Sequence, residues 1–388
     1  MSTLTLERPA SPATTPARAA VRQPVTRATA ARYDLTEADL DELGRELDAL
    51  RERVVADLGE EDVAYLRRVI RLQRGLAATG RASLFLGFLP PFWIGGTVAL
   101  GLSKILDNME IGHNVMHGQY DWTRDPALAS GDFEWDAACP ADQWRHSHNY
   151  LHHTFTNIHG KDRDIGYGIL RVSPEQRWNP VYLGNPIFAT ALALSFDHGV
   201  MLHDVEVDRI LAGRKTWAEA WPTLKDGLRK SGTQGLKDYV LWPALTGPLF
   251  LSTLAANVTA NVMRNVWAFS IIFCGHFPTD VHEFTEAECE DESRGHWYFR
   301  QMLGSANITG GRLFHLLSGN LSHQIEHHLF PDLPARRYPQ IAGEVQAICE
   351  RFGLPYNSHR FSRQFGTVVG KILRHTFPSR PTPRSEVG

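Results

Sequence analysis

Nine of the 18 histidines fall in three short blocks, residues 113–117, 146–153 and 323–328. The first, GHNVMHG, carries His113 and His117. The second, RHSHNYLHHTFTN, carries His146, His148, His152 and His153. The third, HQIEHH, carries His323, His327 and His328. Imidazole titrates near neutrality and is a common metal ligand. His113/His117, His148/His152 and His323/His327 are i, i+4 pairs, which on a helix project two rings from one face. The doubled histidines of blocks two and three add a ring about 100° further round. So many imidazoles exceed what one four- to six-coordinate ion uses, and two ions are the economical reading. An all-imidazole set suits zinc, iron, copper or nickel. HQIEH also matches HxxEH, the inverted zinc-protease pattern with Glu326 as base. That short pattern recurs by chance and leaves the other two blocks idle.

The elements that carry these blocks must bring them together. The chain has 388 residues, 43 acidic against 40 basic, and a formal charge of −3. Such a balance argues against a dedicated nucleic-acid binder. Four cysteines without a CxxC fit a reducing compartment and no disulfide framework. Residues 1–32, rich in Ala, Pro, Thr and Arg, read as a disordered tail with no secretory signal. Leu40, Leu43, Leu47, Leu50 and Val54 then recur at helical spacing behind Thr36, a suitable N-cap, within an amphipathic helical segment 33–81.

Four apolar runs follow, at 82–106, 181–200, 239–256 and 258–277. Each approaches the roughly 20 residues that span a bilayer. Trp93, Tyr182, Tyr239 and Trp242 near their ends suit a membrane interface. Asn257, Asn261 and Asn265 repeat every four residues in the fourth run, and His276 returns to nearly the same face. That stripe is either a buried seam between helices or a polar wall leading to a histidine. Blocks that share one site must lie on one side of the membrane. Runs three and four are therefore expected as the spanning hairpin, with run two in the membrane plane or buried. Run one would be a re-entrant hairpin broken at Pro90 and Pro91.

Three histidine blocks of form HxxxH, HxxxHH and HxxHH or HxxxHH along a chain with apolar runs resemble the membrane-bound fatty acid desaturases. QIEHHLFP is typical of the branch that includes front-end and linoleoyl-CoA-type desaturases. KILDNMEIGHNVMHGQYDW, HNYLHHTFTNIHGKDRDIGYG and RQMLGSANITGG are most similar to actinobacterial acyl-CoA desaturases. The resemblance covers roughly residues 35–360. It implies an all-α integral membrane protein with a cytosolic histidine-box cap, a membrane-bound domain over 82–360 and a C-terminal tail over 361–388.

The resemblance further implies a centre of two iron ions held by His113, His117, His148, His152, His153, His276, His327 and His328. In the HxxxHH spelling His323 completes the third block. In the HxxHH spelling that place is Gln324. His323 is taken as the ligand, with Gln324, Glu326, Asn265 and His146 beside the ligands. Asp107, Glu110, Glu134, Asp136 and Glu326 are candidates to orient imidazole N–H groups. Some relatives hold a metal-bound water on an Asn one turn before the His276 position; here that residue is Ile272, so Asn265 or Asn261 would substitute. His198 and His203 read as core or interface residues, and His315 as an outside candidate ligand.

The implied reaction inserts a cis double bond into a saturated acyl chain, stearoyl- or palmitoyl-CoA at the delta-9 position, using O2 and two external electrons, with no catalytic residue beyond the metal centre. The alternatives are an acyl-lipid hydroxylase or other di-iron oxygenase on the same scaffold and, more distantly, a zinc-dependent membrane hydrolase. No haem, nucleotide-binding or iron–sulfur motif is present, so a separate NADPH-linked reductase is the expected electron donor. Lys161, Arg163, Arg171 and Arg177 are candidates for the CoA phosphates. The remaining expected partners are an acyl-CoA or acyl-lipid substrate and membrane lipids, with no nucleic acid. The expected location is the cell (inner) membrane, with the site on its cytoplasmic side.

Overall fold

The computed structural model describes residues 29–30 and 32–378, so the tail expected at 1–32 lies almost wholly outside the described residues. The described chain is mostly helical. Helices α1 (Glu37–Ala56), α2 (Glu60–Leu84) and α3 (Pro90–Leu106) come first. A π-helical turn, Asp107–His113, extends α3 into block one. Block two lies on a second π-helical segment, Arg145–His152. Then come α4 (Asn185–Leu194), α5 (Trp217–Gly235), α6 (Phe250–His276), α7 (Arg294–Leu303), α8 (Gln324–Leu329), α9 (Tyr338–Arg351) and α10 (Phe361–His375). Two short strands, β1 (Asn307–Thr309) and β2 (Ser358–Arg360), pair in parallel.

The N-cap of α1 forms as its sequence predicts. Thr36 Oγ1 accepts from Asp39 N at 3.2 Å, and Asp39 Oδ2 accepts from Thr36 N at 2.7 Å. Its leucines are buried with Tyr298, Phe299, Phe330, Tyr338 and Val345, forming a core that joins α1, α7, α8 and α9. α1 crosses α7 at Gly295, where a Cβ would lie 2.0 Å from Leu40 O, so the crossing requires glycine.

Two helical hairpins form the other half. The first turns through residues 85–89 between α2 and α3, and Pro90 and Pro91 start α3, where a missing N–H costs nothing. In the second, α5 continues through Leu236–Leu241 and Trp242–Leu245 and turns into α6. A buried ionic cluster clasps the two together. Asp238 accepts from Arg81 Nη2 at 2.9 Å, from Lys104 Nζ at 2.7 Å and from Asn261 Nδ2 at 3.2 Å. Asn257 accepts from Arg81 Nη1 and donates to Asp238 O, both at 2.6 Å. The stripe Asn257–Asn261 is thus a seam between helices.

No helix among the described residues is long and apolar enough to cross a membrane. The expected spanning hairpin of runs three and four is a hairpin, but its longer arm carries Asn257, Asn261, Arg264 and Asn265 into the protein interior. Apolar side chains are instead exposed near the hairpin tips. Phe85, Leu86, Phe88, Leu89, Phe92 and Ile94 lie at one, and Leu241, Leu245 and Leu251 at the other.

The C-terminal segment also differs from expectation: residues 361–375 form a packed helix. Val368 and Ile372 are buried on α10, and the guanidinium of Arg171 donates to His375 O and Phe377 O. Phe361, Phe365, Val368 and Ile372, at three- and four-residue spacing on an otherwise basic segment, supply this face, which its charge obscures.

Candidate metal centre

The three blocks and the end of α6 converge on one buried site. His113, His117, His148 and His327 bring ligand atoms within 4.8 Å of one another, as do His152, His276 and His328, and His153 with His327 and His328. Adjacent sets share His327 and His328, so the donors lie in neighbouring groups that could hold metal.

The π-turns explain how block two points His148, His152 and His153 inward together, while His146 stays exposed. Hydrogen bonding from i to i+5 widens the turn. One turn on from His148 therefore lie both His152 and His153. Their ring centroids are 5.1 and 4.9 Å from that of His148. The sequence reading, which assumed an α-helix, set His153 well off that face. Block three corrects the reading in the opposite sense. α8 begins only at Gln324, and His323 precedes it with non-helical dihedrals. His323 therefore leaves the helical face and packs on His315, ring centroids 4.6 Å apart. Gln324 takes its place, with Nε2 2.9 Å from His276 Nε2. The close approach needs Gly275, where a Cβ would meet Gln324 Cγ and Cδ at 2.9 Å.

For His152, His113, His328 and His327 a polar partner faces Nδ1, whereas both nitrogens of His153 are buried without a partner. His152 Nδ1 lies 3.1 Å from both Asp162 oxygens. His113 Nδ1 faces Asn114 Oδ1 at 3.3 Å, and His328 Nδ1 faces Gln301 Oε1 at 3.0 Å. His327 Nδ1 lies 3.3 Å from Tyr338 Oη. An Nδ1–H donating to each of these acceptors leaves Nε2 as a lone pair aimed into the site. Accordingly Nε2 of His117, His148, His153 and His327 is buried without a hydrogen-bond partner. His276 Nε2 lies 3.3 Å from His152 Nε2 and 3.2 Å from His328 Nε2. Lone pairs facing one another are unfavourable unless a cation lies between them. Metal–nitrogen bonds of about 2.0–2.1 Å in a tetrahedral arrangement separate the nitrogens by about 3.3 Å. The donor set therefore fits bound metal.

Electrostatics agree. Burial, reinforced by neighbouring histidines, holds His113, His117, His153, His327 and His328 well below the ordinary histidine pKa, so they are neutral and able to ligate. His152 is the exception. Burial pushes it down, but Asp162 and Asp164 carry it up to about 9. The same two carboxylates favour a metal cation where they favour a proton. Asp164 also reaches His203 Nε2 at 3.0 Å and His148 Nδ1 at 3.6 Å.

Asp162 and Asp164 were not among the carboxylates expected to orient the rings. The signal was the Asp-x-Asp spacing just after block two. The expected carboxylates serve elsewhere. Glu326 accepts from Tyr356 Oη at 2.7 Å and Asn307 Nδ2 at 2.9 Å, turned away from the histidines. Asp136 pairs with Lys104 and Lys237, Glu134 with Lys230, and Asp107 Oδ2 accepts from Asp136 N. Glu110 accepts from Tyr65 Oη at 2.8 Å and lies 3.1 Å from Asn320 Nδ2. Asn265 bonds Leu194 O and Arg264, Asn261 belongs to the clasp, and His146 is exposed near Asp204. None of these three reaches the metal positions.

A narrow cavity adjoins the centre. His113 and His148 form one wall; Trp135, Trp144, Tyr167, Phe196, Ala268 and Ile272 supply apolar surface.

The family model for fatty acid desaturases matches residues 88–360. The chain is 45% identical over 365 residues to an NADPH-dependent stearoyl-CoA 9-desaturase of Mycobacterium tuberculosis, covering 91% of this chain and 86% of that one. It is 28% identical to an sn-1 linoleoyl-lipid 6-desaturase of Synechocystis, covering 70% and 77%. It is 25% identical to an acyl-lipid (7-3)-desaturase of Rebecca salina, covering 75% and 65%. The chain belongs to the fatty acid desaturase family.

Proposed function

We propose that this chain is a membrane-bound, di-iron acyl-CoA desaturase that forms the delta-9 double bond of stearoyl-CoA or palmitoyl-CoA. The observation that carries this reading is the ring of buried imidazole nitrogens with free lone pairs beside an apolar cavity. The high identity to a stearoyl-CoA 9-desaturase along nearly the whole chain supports the substrate class.

His113, His117, His148, His153 and His327 would hold one iron, and His152, His276 and His328 the other, with Gln324 beside His276 in the role expected of His323. Two irons supply, when reduced, the activation of O2 that removes two hydrogens from adjacent unactivated methylenes. The protein's own contribution is positioning. Asp162, Asn114, Gln301 and Tyr338 fix the tautomers of the ligands, and the apolar walls exclude water and lay the chain against His113 and His148. Neighbouring methylenes differ too little for affinity to select between them, so the shape of the cavity must do so. His203 lines both this cavity and an outer pocket that includes Arg163, Arg209 and Arg214; Arg163 and Arg209 pair with Glu206, which leaves Arg214 as the cation suited to the CoA phosphates. Of the other expected cations, Arg171 is buried and binds backbone carbonyls, and Lys161 pairs with Glu286.

The exposed apolar tips of the two hairpins suit a membrane interior, with the histidine half on the cytoplasmic side of the cell membrane. Electrons come from a separate NADPH-linked reductase. The test is the fatty acid profile, with double-bond positions by mass spectrometry, of a host expressing the chain with a reductase, against His327→Ala. A new delta-9 monoene absent from the variant is expected. A hydroxylated chain would move the reading to the sister chemistry, and no lipid change in an iron-loaded protein would overturn it.

A further inference from the structure

The reaction proposed above consumes two electrons, and the ligands of the centre are buried or nearly so: His327 and His328 are fully buried, and His117 is partly buried. One region of the surface joins a charged face to a bonded track that ends on a ligand. Along the N-terminal half of α2, Arg67, Arg68, Arg71 and Arg74 form an exposed stripe at helical spacing. They line an open groove that also holds Glu60, Glu61, Trp122, Thr123 and Asp125. Arg67 pairs with Asp125. Arg68, Arg71, Arg74 and the nearby exposed Arg124 have no ion-pair partner among the described residues. Trp122 is 41% exposed, a large aromatic ring held at the surface.

Trp122 Nε1 donates to Gln119 O at 3.0 Å. Gln119 is fully buried, and its Nε2 donates to Tyr338 Oη at 3.1 Å. Tyr338, also fully buried, places that hydroxyl 3.3 Å from His327 Nδ1. Gln119 is held rigidly in place, its Oε1 accepting from Ala335 N at 2.8 Å. A continuous run of short contacts thus links the basic groove to a nitrogen of a histidine proposed as an iron ligand.

We propose that this groove is the docking surface for an electron carrier with an acidic face, and that electrons enter through Trp122, Gln119 and Tyr338 to His327. The proposal rests on the di-iron reading. Each encounter oxidises the carrier by one electron and reduces the metal centre by one. Two encounters supply the pair that dioxygen requires, with two protons drawn from water. Unpaired guanidinium groups attract an acidic partner over a Debye length and speed the encounter. An anionic lipid surface would satisfy the same arginines, but it would give no reason for a bonded track from the groove to the metal centre.

The probe is a plant-type ferredoxin, an acidic one-electron carrier, titrated against the iron-loaded full chain in neutral-lipid nanodiscs. Affinity is read directly, without turnover. The expected result is saturable binding that weakens with salt, a Kd raised at least tenfold by Arg68→Glu/Arg71→Glu/Arg74→Glu, and a smaller rise for the Gln triple variant. Trp122→Leu should lower the ratio of ferredoxin-driven to dithionite-driven stearoyl-CoA turnover about tenfold. Equal Kd for the parent and the Glu variant would overturn the proposal. So would a variant that loses only its flotation with phosphatidylglycerol vesicles. If the dithionite-reduced parent forms no monoene, the di-iron reading fails, and the carrier titration still decides whether the groove docks an acidic protein.

Discussion

Two buried polar clusters of this chain invite comparison. At the hairpin clasp, Asp238, Lys104, Arg81, Asn257 and Asn261 satisfy one another with bonds of 2.6–3.2 Å. At the histidine site a comparable number of buried polar atoms have no partner at all. Burying a polar group without a hydrogen bond costs roughly 1–3 kcal/mol. The clasp avoids that cost internally, which identifies it as structural. The histidine site does not, and it becomes stable only when something that accepts lone pairs occupies it. Polar residues in apolar helices therefore carry different meanings, and what separates them is the completeness of their bonding.

The comparison breaks most visibly at the ligands. His152→Ala or His327→Ala should reduce desaturation to background while leaving the helical circular dichroism intact; unfolding of both variants would make the site a structural one. At the clasp, Asp238→Ala removes the carboxylate of Arg81 and leaves Lys104 only its longer contact with Asp136, and removal of one partner of a buried ion pair costs about 3–5 kcal/mol. Thermal unfolding should show that loss with no change in iron per folded chain. Asp162→Asn lies between the two. It keeps the shape but weakens the orientation of His152, and iron affinity measured against a chelator should fall about 10–100-fold.

A smaller effect concerns pH. Burial pushes the Glu110 carboxyl up to about 8, although Tyr65 and Asn320 pull it down. The folded state then binds a proton that the unfolded state releases near 4.5. Its contribution to stability is present below the unfolded value and is lost as pH rises toward about 8. Glu110→Gln should flatten the fall in melting temperature over that window; an unchanged profile would assign the slope to other groups. Smallest of all, His323→Ala should leave iron content within error of the parent, whereas Gln324→Ala should lower it.

Much of the site was legible in the sequence because metal binding demands residue types that packing does not. Eight of the nine histidines expected as ligands converge, His276 among them, a ligand that the family resemblance implied and the polar stripe alone left open. What misled was local backbone geometry. HQIEHH invites a helix through His323, and only the start of α8 at Gln324 turns that ring away. The π-turns at blocks one and two were equally invisible, since no residue pattern separates them from α-helix. The apolar runs were visible as apolar, but not their depth. Asn257, Asn261 and Arg264 look costly in a span until Asp238, Asp197 and Arg81, distant in sequence, supply their partners.

The most direct test is the metal content of the purified chain by mass spectrometry, for the parent and for His276→Ala. The account predicts two irons per parent chain and a loss confined largely to one of them in the variant, where His152 and His328 lose their shared partner. One zinc per chain, unaffected by the change at His276, would contradict it.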